Sequence, residues 1–384
     1  MSTGGSAVTA YKLTRSAAGQ PSVVVWKDAR DRTAAGYAAV SAALRAGTQY
    51  SFAVQAYNAA GGGATGVVTF ALPVRVLYAY SAANQTILKV PTETGAATVA
   101  ATGIVPNSLT TDAQGNLYAS VGATRSIVKI PADGSARTTY ASGFTNPGAI
   151  AMDRKGNLFV NDAGKIVAIG PNAGSSYTVL TLPAGSDGLS ISRSGLVYAT
   201  WHDDTTEHLI TVAPGTTKAV DRVIGDPFNV VLSISGDDQG NLYLYHHSTG
   251  GSGYTYYTRV AANATTETDV YSRQYAYFAG SVGSNNRFYL LQTATWCVGP
   301  DFSCVPNRSV PDLLAVSPTA SRAVIAPVSG LTLPSEGADV RADADGNVFV
   351  LTRGSSAKIL KIGATGGAAR VLATGAFTLS ALSN

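Results

Sequence analysis

The sequence predicts an all-β chain. A seven-bladed β-propeller is expected over residues 73–384, with its C-terminal strand closing the first blade, and a partial β-sandwich precedes it over residues 1–72. Three observations carry this expectation. A turn motif recurs at a nearly constant interval, the composition is that of short strands and tight turns, and the chain ends on a strand that the first repeat lacks.

The motif is Asp-x-x-Gly-Asn followed by an aliphatic and then an aromatic residue. It stands at Asp112–Tyr118, Asp153–Phe159, Asp237–Tyr243 and Asp343–Phe349. Degenerate copies end at Tyr198 and Tyr289, and one ending at Tyr78 lacks the Asp and Gly. The aromatic positions 78, 118, 159, 198, 243, 289 and 349 are thus separated by 40, 41, 39, 45, 46 and 60 residues. A period of about 40–45 residues is that of a four-stranded propeller blade. Gly and Asn both tolerate positive φ, so the motif reads as the tight turn between a blade's first two strands. Unrelated hairpins would not keep seven turns in step, and no helical periodicity supports a helical solenoid.

Composition agrees. Gly is 41 of 384 residues and Tyr 19, while charged residues are 13%, roughly half the usual share. Apolar residues, 45% of the chain, recur in short alternating runs, which excludes disorder. The net charge of +4 comes without any block of Lys or Arg, so no nucleic-acid partner is expected. No run approaches the roughly 20 apolar residues of a membrane helix, so no membrane insertion is expected of this segment.

The first repeat has no innermost strand before Val74. The final segment GAFTLSALSN is similar to the innermost strands PNSLTTD and NPGAIAMD and should complete that blade. Such a closure removes the exposed sheet edge between first and last blades. The longest step, between Tyr289 and Phe349, holds a long 2–3 connection in the sixth blade. Cys297 and Cys304 lie in it, with six residues between them. They read as a local disulfide clamping the loop, with two free thiols as the alternative. A disulfide implies an oxidising compartment, extracellular or at the cell surface. The N-terminus MSTGGSAVTAYK has neither the basic start nor the apolar core of a signal peptide, so the chain reads as a piece of a longer one.

Residues 7–72 resemble the fibronectin type III module from its third strand onward. The resemblance rests on Leu44, on Gly47-Thr48-Gln49-Tyr50, and on Val54-Gln55-Ala56-Tyr57-Asn58 leading to Gly61. It implies that Tyr50 is the corner tyrosine whose hydroxyl caps a backbone group. The first two strands of that module, with its core Trp, are absent, and Trp26 lies on a later strand. The propeller motif resembles NHL-repeat propellers and their bacterial relatives, the sensor propellers of Ser/Thr kinases and the streptogramin-lyase-like proteins. That resemblance implies the fold. It leaves activity open, because the superfold hosts sensors, adhesion modules, lactonases and lyases.

Ligands of propellers usually sit at the channel mouth that collects the 2–3 and 4–1 connections. The 2–3 connections supply Asn161 and Asp162 in the third blade and Trp201, His202, Asp203 and Asp204 in the fourth. They add His246 and His247 in the fifth and Arg353 in the seventh. The 4–1 connections add Asn146, Asp187, Asn229 and Glu336. Asp162, Asp187, His202, Asp203, His246, His247, Glu336 and Arg353 are therefore the candidate ligand-binding residues. His202 and His247 hold equivalent positions in adjacent blades. They could serve a polar binding pocket, act as general acid and base, or hold a divalent metal beside an Asp. The tyrosines Tyr254, Tyr256, Tyr257, Tyr275 and Tyr277, spaced by two or so along strands, read as packing between blades, with a stacking patch for sugar or peptide as the alternative.

The function expected is that of an extracellular binding or sensor module for a peptide, glycan or protein, acting as a monomer and without a cofactor. The alternative is a lyase or lactone hydrolase at the propeller mouth, using a divalent metal. No P-loop, kinase signature, dinucleotide fingerprint or Gly-x-Ser-x-Gly elbow is present, which sets those chemistries aside.

Overall fold

The computed structural model describes residues 6–30, 44, 48–71, 74–183, 186–203, 206–225, 229–248, 254–262, 264, 267–274, 278–283, 285–292, 295–297, 304–306, 312–316, 322–329, 338–352 and 357–382. Within these, the side chains of some strand residues are outside the description, among them Asp187, His247, Cys297 and Cys304. The chain divides into two compact units, Met1–Arg75 and Val76–Asn384.

The first unit is an antiparallel sheet of β1 (Ala10–Ala17), β2 (Gln20–Asp28), β3 (Gln49–Asn58) and β4 (Gly61–Ala71), in the order β2-β1-β3-β4. Leu13 and Tyr50 are its buried apolar anchors. The Tyr50 hydroxyl accepts from Gln20 Nε2 at 3.3 Å, and the Arg15 guanidinium lies 5.7 Å over its ring. Trp26 is 56% exposed and meets Tyr57 edge-on at 4.6 Å, so it decorates a sheet surface and anchors no core.

The second unit is a β-propeller. Among the described residues it holds seven sheets of at least four strands, antiparallel except where Gly367–Ala368 adds a parallel fifth strand to the one that begins at Phe278; in all but blade one the first four strands follow the chain from the innermost outward. Blade two comprises Ser108–Thr111, Leu117–Val121, Ser126–Ile130 and Thr138–Ser142. Blades three to seven follow the same plan, with first and second strands at Pro147–Met152 and Leu158–Asp162, Ser186–Ile191 and Val197–His202, Asn229–Gly236 and Leu242–Ser248, Phe278–Val282 and Phe288–Gln292, and Ala338–Ala342 and Val348–Thr352. Blade one is built from both ends of the unit. Phe377–Leu382 pairs antiparallel with Val76–Ser81, Phe377 opposite Ser81 and Leu382 opposite Leu77. In blade six the long 2–3 connection carries a ribbon, Thr295–Cys297 against Cys304–Pro306.

The repeat aromatic is what joins blade to blade. Tyr78 packs into blade two, Tyr118 into three, Phe159 into four, Tyr198 into five, Tyr243 into six, Tyr289 into seven and Phe349 into one. The residue just before it points the other way, Leu117 into blade one and Leu242 into blade four, because successive strand side chains face opposite sides. All seven aromatics are at most 4% exposed. Burying each is worth about 1.5–3 kcal/mol. Burial, with Asp112 nearby, pushes the Tyr78 phenol up to about 12. Its hydroxyl donates to the Gly115 carbonyl of the next blade at 2.9 Å. Burial likewise raises Tyr118, Tyr198 and Tyr243, keeping these phenols neutral. At Gly236, a Cβ would sit 2.2 Å from the Tyr198 ring, so only glycine admits the aromatic there.

The turn motif works differently from the sequence expectation in one respect. Its Gly does take positive φ, at 80°, 82°, 94° and 86° in Gly115, Gly156, Gly240 and Gly346. The Asn does not. Its side-chain amide instead donates to the motif Asp, as Asn116 Nδ2 does to Asp112 Oδ2 at 2.7 Å, while Asp112 Oδ1 accepts from the Gln114 and Asn116 amides. Asp153, Asp237 and Asp343 repeat the pattern. In the degenerate sixth copy Asn286 takes the glycine's place at φ 63°, a conformation that Asn tolerates better than most residues.

Removing residues 377–384 would strip blade one of its innermost strand and expose the cluster in which Phe377 and Leu382 join Phe349 and Leu77. The expected outcome is a melting temperature about 10 °C or more below that of the full chain, read by differential scanning calorimetry. A truncated chain melting alongside the full one would overturn this account of closure.

Candidate functional site

The first strands of the blades form the channel wall, and short hydroxyl side chains sew them together. Ser108 Oγ accepts from the Ile150 amide at 3.2 Å, Ser190 Oγ from Gly236 at 3.0 Å and Ser235 Oγ from Val282 at 3.0 Å. Thr111 Oγ1 donates to the Leu382 carbonyl at 2.9 Å, tying blade two to the closing strand. At these four junctions neighbouring blades are thereby tied near the axis as well as in the aromatic layer.

At the end of the channel where the 1–2 turns gather, the wall opens into two adjoining cavities of about 390 and 270 Å³. Arg193, Arg341, Ser281 and Val282 line both. The second position of the turn motif supplies much of the mouth: Ala113, Arg154, Arg193 and Asp238 come from four consecutive blades. Arg154 Nη2 bridges to Asp238 Oδ2 at 2.8 Å, spanning blades three and five. Asp238 Oδ1 accepts from the Ser194 amide of blade four at 2.7 Å, and the Asp238 amide donates to Asn286 Oδ1 of blade six at 2.8 Å. Four successive turns are thus joined through one carboxylate residue. Burial first, and the neighbouring Arg154 second, hold the Arg193 guanidinium below its ordinary pKa, with Asp238 pulling the other way. Arg341, on the first strand of blade seven, pairs with Asp339 two residues away at 3.2 Å.

The candidates singled out in the sequence lie toward the opposite end, where second strands finish. Asp162 and His202 end their strands, and the His247 backbone, opposite Val230 and Thr255, lies one residue before the end of its own. The Asp162 carboxylate is occupied by the fold, accepting from the Thr145 and Asn146 amides at 2.7–3.0 Å and capping the 4–1 connection. Asp203 similarly holds its own turn through the Thr206 amide at 2.7 Å. His202 is exposed. His246 is 1% exposed inside blade five, its Nε2 2.9 Å from Thr258 Oγ1, so it faces away from any mouth. The Asp187 and His247 side chains, and all of Glu336, Arg353 and Asp204, lie outside the described residues. Among the tyrosines, Tyr257 is buried against Tyr245 at 4.8 Å and Phe288 at 5.2 Å, the packing role expected of it.

Two features were missed in the sequence. His208 stacks on Trp201 at 4.1 Å, with Nδ1 3.1 Å from Asp221 and Nε2 2.8 Å from Thr206. Nothing in its spacing marks it, since it sits mid-repeat on a third strand. The arginines of the 1–2 mouth had a legible signal. The second motif position reads Arg, Arg, Asp in three consecutive copies that all keep the motif glycine and an aromatic at its end. Among the described residues, no three His, Cys, Asp or Glu side chains are grouped as a metal site, and no helix is long and apolar enough to cross a membrane.

No family model matches the sequence, and no curated protein does. Solved structures do. The chain is similar to a putative 6-phosphogluconolactonase from Bacteroides fragilis at 11% identity and a TM-score of 0.54, over 81% of this chain and 98% of that one. A puromycin-hydrolyzing peptidase of Mycobacterium tuberculosis aligns at 12% identity and a TM-score of 0.53, over 86% and 52% of the two chains. A protein from Lactobacillus plantarum aligns at 12% and 0.50, over 80% and 98%. At these identities the likeness is one of fold, that of the β-propeller.

Different costs are expected at the 2–3 end. Asp162→Ala leaves two loop amides uncapped and should lower stability by about 1–2 kcal/mol, whereas exposed His202→Ala should stay within about 0.5 kcal/mol. Urea unfolding of the two variants checks this, and equal midpoints would remove the capping role.

Proposed function

We propose that this chain is a binding propeller, a seven-bladed relative of the NHL-repeat type behind a fibronectin type III-like module, and that its 1–2 channel mouth receives a partner. The observation that carries the reading is the pair of polar cavities at that mouth, to which four consecutive blades contribute Ala113, Arg154, Arg193 and Asp238 from the second position of the turn motif. The larger cavity falls within the roughly 300–1,000 Å³ typical of ligand sites. Concave, polar and set on rigid strand ends, it suits an exposed tip of a peptide, a glycan or a protein loop. The alternative of catalysis at the opposite mouth would need His202 and His247 to meet over a carboxylate.

Ala113 is exposed on the blade-two turn and lines the larger cavity. Ala113→Trp should therefore plug the mouth without disturbing the core. Peptide and glycan arrays probed with the full chain should give ligands whose binding falls at least tenfold in Ala113→Trp and is unchanged in His202→Ala. Ligands indifferent to the plug would overturn the reading.

We also propose an extracellular or cell-surface setting, carried by the cysteines. Strand register places Cys297 directly opposite Cys304. Facing residues of antiparallel strands have Cα atoms about 4.5–5.5 Å apart, inside the range a disulfide spans. Protein secreted through an oxidising compartment should resist thiol alkylation until reduced and then gain two alkyl groups by mass. Two groups added without reduction would remove the argument for location.

A further inference from the structure

We propose that the first unit joins two copies of this chain, β4 of one copy running antiparallel to β4 of the other so that two sheets become one. Among the described residues β4 pairs only with β3, and all eleven of its residues, Gly61–Ala71, are exposed. Val67 and Val68 are 61% and 60% exposed although they face opposite sides of the sheet, and Phe70 is 41% exposed. Such an edge holds alternate N–H and C=O groups out toward another strand, and proteins ordinarily blunt it with Lys, Pro or a bulge. β4 has no charged residue and no proline, and its register with β3 is unbroken from Thr65 to Ala71. The chain's other outer strands differ. β2 carries Pro21, Lys27 and Asp28, and the fourth strand of every blade has an irregularity in its pairing.

Charge and register select a second copy as the occupant. Two-fold pairing lays a strand against itself, so any charge beside the seam meets its like, which destabilises the pair. Neither β4 nor β3 behind it has a charged residue; the sheet's Lys12, Arg15, Lys27 and Asp28 all lie on β1 and β2. The segment from Gly66 to Phe70 is also complementary to itself. With the axis at Val68, that residue meets its own copy, Gly66 meets Phe70, and Val67 meets Thr69. Each phenylalanine then covers a glycine, and β-branched residues fill the remaining pairs. Phe70 is already stacked on Phe52 at 5.2 Å, so the seam continues the aromatic surface of the sheet. Pro21, Lys27 and Asp28 oppose the same addition along β2, so association closes at two copies and builds no fibre. A dimer thereby replaces the monomer expected from the sequence.

Sedimentation of the full chain over a range of concentrations should show a monomer–dimer equilibrium. Val68→Lys sets two ammonium groups against each other at the axis and should weaken dimerisation about tenfold or more. Val24→Lys, at a position on β2 that is 46% exposed, should leave it unchanged. Melting curves confirm that both variants are folded. Facing residues of antiparallel strands have Cα atoms about 4.5–5.5 Å apart, within reach of a disulfide. Val68→Cys should therefore give a cross-linked dimer on mild oxidation, and the wild type with its own two cysteines should not. A wild type that stays monomeric at every concentration would overturn the proposal, and so would a dimer that Val68→Lys leaves intact. A dimer that Val68→Cys fails to cross-link refutes the two-fold register. If the chain is monomeric and instead binds a synthetic strand of residues 64–71, self-pairing falls and the edge belongs to an extended peptide partner.

Discussion

Everything in the propeller depends on a single side chain repeated around the ring: the aromatic that closes each turn motif and inserts into the following blade. An isolated four-stranded sheet has two apolar faces and no means of burying either. The aromatic and the aliphatic residue before it face opposite sides of the second strand, so each blade fills one interface on either side. The motif Asp and Asn hold the turn that sets the strand's register, and glycine gives way where the ring passes, as at Gly236 beneath Tyr198. Turn chemistry, strand alternation and interface packing thus answer to one requirement, which is why the motif persists while the residues between its copies drift.

The same requirement decides what could be read from sequence. The fold was legible because packing constraints repeat, and repetition makes a weak local signal strong. The closing strand was legible for the same reason, since Phe377–Leu382 had to resemble other first strands to pair with Val76–Ser81. The binding surface was less so. Counting residues past the aromatic reached the strand ends at Asp162 and His202, but the count carries no information about what those side chains do. Asp162 caps amides, Asp203 holds its own turn, and His246 faces into its blade. The role of the motif Asn was also misjudged, because a residue that tolerates positive φ was assumed to use it, and here a carboxylate four residues earlier offers its amide a better partner.

Fixed and variable positions within one motif separate structure from recognition. The Asp, Gly, Asn and aromatic are spent on the fold. The second-position side chain is not used by its own turn, so it can be Arg154, Arg193 or Asp238 without cost to that turn, and Arg154 and Asp238 reach across to neighbouring turns instead. Loop positions on a rigid scaffold are where recognition is usually placed. In this chain the turn is short and tightly hydrogen-bonded, so such a side chain is presented from a backbone with little freedom to move.

The seam in blade one has a mechanical side. Leu77 and Leu382 face one another near the two ends of the propeller unit, on antiparallel strands. A load drawing those ends apart pulls across the hydrogen bonds at that margin of the sheet and opens them one after another, as a zipper does. It never loads them all together, as sliding the strands lengthwise would. Tension therefore reaches blade one first and peels its innermost strand, while the six blades that are each a continuous run of chain carry none of it until the seam has parted.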